Sequence, residues 1–162
     1  MLSAFCYDSY YVDAPCHTQA NDMSIDYQFY LAPLSYTSVM ASIDFRTLED
    51  REHVIQGEIG NSGLMAYLVK NPAPDEFSME ELQFSPTCQL ILSPDLGNYE
   101  QSMSALIATI NQLVPVAKAS ALYMNNELLL LDKLDNQTTL YTSDKDWWEE
   151  HIENIRFPHS QR

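Results

Sequence analysis

The sequence predicts an α+β fold. It is read as one domain with a mostly antiparallel sheet, two main helices packed on it, and a C-terminal acidic helix. Three observations carry this reading. Short stretches with the two-residue alternation of strands recur along the chain. Tight-turn residues, not helices, separate most of them, so the strands meander instead of winding through crossovers. Apolar residues fall at spacings of three and four in only a few places, most clearly over residues 99–114.

Residues 1–22 are rich in Tyr and have no clear period. They are read as an extension ahead of a compact domain over 23–157, with 158–162 as a tail; an added edge strand at 1–22 stays open. In the first strand, over 24–31, Ile25, Tyr27, Phe29 and Leu31 alternate with Asp26, Gln28 and Tyr30, the pattern of a half-buried strand. Ser35 suits the N-cap of a short helix carrying Val39, Met40 and Ile43. Residues 45–52 are charged and read as a connection. Strands over 53–58 and 64–70 flank Gly60-Asn61-Ser62-Gly63, where Gly and Asn tolerate the positive φ of a hairpin turn. Pro72 and Pro74 place a loop at 71–77. Ser78 with Glu81 forms a capping-box pattern for one helical turn. A short apolar strand follows over 87–92.

The helix over 99–114 is read as burying Tyr99, Met103, Leu106, Ile107, Ile110, Leu113 and Val114 on one face. Asn98 is placed to cap it with Gln101 reaching back, and Pro115 marks its end. Strands over 119–124 and 128–131 surround Asn125-Asn126, and Asp135-Asn136 turns the chain into a strand over 138–142. A last helix is read over 144–155. The order is β-α-β-β-β-α-β-β-β-α.

The chain has 162 residues, 23 acids against 8 bases, and a formal net charge of -15. Nonspecific phosphate binding needs Lys and Arg to release counterions, so a nucleic-acid partner is not expected. An anionic membrane surface is disfavoured for the same reason. No apolar run approaches the ~20 residues of a membrane helix. The first 22 residues hold no Lys or Arg and do not read as a signal peptide, which makes the cytoplasm the expected compartment. Cys6, Cys16 and Cys88 form neither a C-x-x-C pair nor a disulfide framework, and Cys88 lies in an apolar run as a small buried residue. Cys16-His17 is too isolated for a metal site, which needs about four ligands.

No nucleophile elbow, zinc-helix motif or phosphate loop is present, and the 4 Gly form no dinucleotide fingerprint. Neither catalytic residues, a cofactor nor a metal is expected. The acid pairs Glu49-Asp50, Asp75-Glu76, Glu80-Glu81 and Glu149-Glu150 are the residue types of general acid-base chemistry, yet adjacent carboxylates are ordinarily solvated surface. The C-terminal helix is more informative. Asp146, Glu149, Glu150 and Glu153 share one face, opposite Trp148, Ile152 and Ile155. Solubility asks for a net charge of only about 2–8 in magnitude, so the larger excess favours a docking surface for a basic partner. A second acidic cluster, Asp75, Glu76, Glu80 and Glu81, is the other candidate.

The layout from Met23 resembles small bacterial immunity proteins, those paired with the swarming-inhibitor toxins of myxobacteria. The resemblance rests on Met23-Ser24-Ile25-Asp26-Tyr27, the helix over 99–114 and Asn125-Asn126-Glu127 leading into Leu128-Leu129-Leu130-Leu131. It continues in Thr138-Thr139-Leu140-Tyr141 and Trp147-Trp148. Lys133 stands where that pattern has an Arg-rich return strand, and residues 1–22 have no counterpart. The resemblance implies a non-catalytic protein that binds and neutralises a cognate protein toxin. A basic toxin suits the charge, and a homodimer is left open. Other classes stay in view: an acidic type III secretion chaperone, which would open on a long helix, a nucleic-acid mimic, and a small enzyme.

Overall fold

The computed structural model describes residues 25–73, 80–142 and 145–162. Among them nine strands form one sheet, in the order β2-β3-β4-β5-β1-β6-β7-β8-β9. The strands are β1 (Tyr27–Ala32), β2 (Phe45–Asp50), β3 (Val54–Ile59), β4 (Met65–Val69) and β5 (Cys88–Ser93), then β6 (Ala119–Met124), β7 (Leu128–Leu134), β8 (Gln137–Leu140) and β9 (Ser160–Gln161). Every pairing is antiparallel except β8 with β9. Three α-helices lie wholly within the described residues, α1 (Tyr36–Ser42), α2 (Tyr99–Leu113) and α3 (Lys145–His151), and Glu80 and Glu81 are also helical. This is the α+β architecture the sequence predicts, in a single domain.

Local chemistry explains the elements. Ser35 caps α1, its hydroxyl accepting from the Ser38 N–H at 3.2 Å. The hairpin tips take positive φ where the sequence supplies residues that tolerate it: Asn125 and Asn126 at 54° and 58°, Asp135 and Asn136 at 50° and 64°. Consecutive positive φ is the geometry of the tight turn that matches strand twist.

The helix-bearing face of the sheet holds the main core. Tyr27, Phe29 and Leu31 of β1 meet Leu90 and Leu92 of β5, Leu122 of β6, and Leu106, Ile110 and Leu113 of α2, all buried. A smaller cluster of Tyr30, Leu82, Ala121 and Tyr123 covers the other face, with Phe84 and Leu129 against it. β1 is therefore buried on both faces and not half-buried, because the 82–84 segment roofs the face that its alternation assigns to water. Gln28, on that face, accepts from the Asn126 N–H at 2.9 Å.

Other departures are local. The stretch at 45–52 is not a connection but carries β2. Its residues from Arg46 to Asp50 are all exposed, so no hydrophobic alternation marks it. β2 is an edge, and its charges and its bulge between Thr47 and Glu49 keep that edge from pairing further. Asn98 makes no side-chain cap to α2. Its amide instead donates to the Ser62 carbonyl and to Gln101, and Asp95 caps the 3-10 turn just before the helix. The last helix is shorter than residues 144–155, since α3 ends at His151 and tightens into a 3-10 turn, Ile152–Asn154. Ser160 and Gln161, within the stretch read as a tail, pair with β8.

Candidate interaction surface

The acidic face of the C-terminal helix is built by how α3 docks. Trp148 is 1% exposed and Trp147 is 9% exposed, and the two rings meet edge to face at 4.7 Å. The Trp147 indole N–H donates to the Tyr27 hydroxyl on β1 at 2.9 Å. Ile155 and Phe157 extend the buried side. Sequence periodicity finds Trp148, Ile152 and Ile155 but misses Trp147, because a seven-residue helix seated at one end buries a wider arc than a long amphipathic one.

That anchoring turns Asp146, Glu149, Glu150 and Glu153 outward, and all four are exposed. Asp146, Glu149 and Glu153 pair with no cation among the described residues. Glu150 pairs with His151, Nε2 to Oε2 at 3.9 Å. The His151 ring packs on Trp147 at 4.6 Å, and burial holds its pKa below the usual imidazole value, partly opposed by Glu150.

Lys145 opens α3 itself and Arg156 is exposed just past Glu153, while other cations lie elsewhere. Arg46 pairs with Glu58, Arg51 with Glu49 and Lys70 with Asp50, all at the β2 end of the sheet. Lys133 is 9% exposed and inward. Its ammonium donates to the Val114 carbonyl at 2.8 Å and the Ala117 carbonyl at 2.7 Å, so it closes the C-terminal end of α2. Burial lowers its pKa.

Of the second acidic cluster the structure describes Glu80 and Glu81. Both are exposed, and burial first and Glu81 second raise the pKa of Tyr123, a residue of the cluster on the opposite side of the sheet from the helices. Asp75 and Glu76 lie outside the described residues, as do Ser78, Cys6, Cys16 and His17. Cys88 is buried, and burial pushes its thiol up to about 12. Among the described residues no group of three His, Cys, Asp or Glu side chains comes together as a metal site. No described helix is long and apolar enough to cross a membrane.

A further feature was invisible to sequence reading because its walls are distant in the chain. A groove of about 540 Å³ runs between α2 and the β3–β4 turn, open to solvent along its length. Asp44, Gly60, Glu100, Ser104 and Ala108 are among its walls. The turn is pinned to the helix start, because the Ser102 hydroxyl and the Asn98 amide both donate to the Ser62 carbonyl, at 2.9 and 3.2 Å. Gly60, at φ 57°, receives its own tie, its N–H donating to the Asp44 carbonyl at 2.8 Å.

No family model matches the chain, and no curated protein or solved structure matches it.

Proposed function

We propose that this chain is a non-catalytic interaction protein of the cytoplasm, an immunity protein that binds and neutralises a cognate basic protein toxin through its acidic surface. The observation that carries the reading is the row Asp146, Glu149, Glu150 and Glu153, exposed along α3 and the 3-10 turn after it, with α3 fixed by two buried tryptophans. Like charges on neighbouring turns repel by a few tenths of a kcal/mol per pair. A basic partner relieves that repulsion and is steered onto the surface by it. The resemblance in the strands around Asn125-Asn126 and in Trp147-Trp148 supports the immunity role. The test is co-expression with the product of the neighbouring gene. A stoichiometric complex in which the toxin's activity is lost supports the reading. A neighbour that does not copurify and stays active in the presence of the chain contradicts it.

A further inference from the structure

Helix α2 has an unusual outer row for a helix that faces water. Glu100, Ser104, Ala108 and Gln112 follow one another at four-residue steps, all are exposed, and each lines the groove. Such a row ordinarily carries charges of both signs. Here no Lys or Arg occurs anywhere in the 15 residues of the helix. The middle of the row is a serine and an alanine, short enough for another backbone to come close. Asp44 and Glu100 stand at the groove, both exposed and neither bonded to a cation among the described residues. No residue lining the groove is Lys or Arg. The opposite wall is a turn whose backbone is already tied down, so it presents a fixed shape with little ordering cost on binding.

We infer that this groove seats a chain segment of the partner protein, laid along Ser104 and Ala108 with its Lys or Arg side chains reaching Asp44 and Glu100. The inference rests on the proposed interaction role and locates a second part of its contact. Charge selects the occupant. A second copy would set a net -15 against a net -15, and a nucleic acid would bring phosphates to carboxylates. The open length of the groove suits a chain more than a small molecule, whose sites enclose most of the ligand surface.

The probe is a synthetic 15-residue alanine-based helical peptide carrying Lys at every fourth position, titrated into the 15N-labelled full chain. A Glu-for-Lys peptide and spermine serve as controls. The expected result is amide shifts at Gly60, Ser104 and Ala108 with the Lys peptide alone. Ala108→Arg, at an exposed helical site where Arg is well tolerated, should weaken binding at least tenfold. The paired change Asp44→Asn with Glu100→Gln should do the same without adding bulk. Glu149→Lys with Glu150→Lys should keep the groove shifts. Shifts confined to α3, equal shifts with spermine, no binding, or binding unchanged in both groove variants would each overturn the inference. A toxin complex that survives Ala108→Arg yet is lost on reversing Glu149 and Glu150 would also overturn it, while leaving the acidic-helix reading standing.

Discussion

Lys133 offers the sharpest test of how the fold is closed. Its ammonium makes two short hydrogen bonds to carbonyls just past α2, at 2.7 and 2.8 Å, from a side chain on β7 that is 9% exposed. Lys133→Met keeps most of the apolar stem and removes the donors. Two carbonyls then lose their partner, and each unsatisfied buried acceptor costs about 1–3 kcal/mol. The lost attraction between the cation and the helix C-terminus adds up to about 2 kcal/mol. Against this, the variant no longer pays to desolvate an ammonium, a penalty of several kcal/mol. The acceptor and dipole losses exceed that gain where water does not reach the carbonyls, and the net expectation is about 2 kcal/mol of destabilisation. Urea unfolding of parent and variant measures it. A variant within about 0.5 kcal/mol of the parent would refute the role given to Lys133, since surface substitutions commonly stay within that range. The pH dependence adds a second check. Burial lowers the folded pKa of Lys133 below the unfolded value of 10.5. Between those two values the unfolded chain binds more protons, so the parent gains stability relative to Lys133→Met as pH rises through that window. A difference that shrinks with rising pH would contradict the lowered pKa.

Trp148→Ala should cost about 3–5 kcal/mol, because it empties a fully buried site under α3; a loss below about 1 kcal/mol in denaturant unfolding would mean that α3 is not anchored there. In a variant with Cys6→Ser and Cys16→Ser, the remaining Cys88 should resist a thiol reagent at pH 8 and react fully in urea, and reaction in the folded state would contradict its burial. Tyr27 and Tyr123 are pushed up to about 12, by burial first, so the stability they hold below pH 10 should fall as pH rises from 10 to 12, by about 2–3 kcal/mol for Tyr27 and by less for Tyr123, whose charge solvent partly screens. Phenolate absorbance alongside unfolding follows both at once, and two groups that ionise near pH 10 without loss of stability would refute the assignment.

The legible parts of this chain are those where one local rule dominates. The four-residue periodicity of α2 and the Asn125-Asn126 and Asp135-Asn136 turns can be read directly, since each depends on neighbours in sequence. β2 could not be read that way, because Arg46 to Asp50 face water on both sides and nothing in their order alternates. The burial of Tyr30 depends on Leu82 and Phe84, more than 50 residues away in the chain. Lys133 looks like a surface charge in sequence, and only the arrival of the α2 C-terminus beside β7 makes it a cap. The acidic row on α3 was legible from helical spacing. The groove was not, since Asp44, the Gly60 turn and α2 meet only in three dimensions.

A basic partner steered onto the face of α3 would leave its mark on association kinetics. The on-rate of the chain with the toxin that copurifies with it would be measured at several salt concentrations, for the parent and for Glu149→Lys with Glu150→Lys. Exposed attractions are screened beyond about 8 Å at physiological salt. The account predicts a parent on-rate that falls steeply with salt, and a variant at least about tenfold slower with a flat salt dependence, within the range by which steering raises association. An on-rate unchanged by the double reversal at low salt would contradict it.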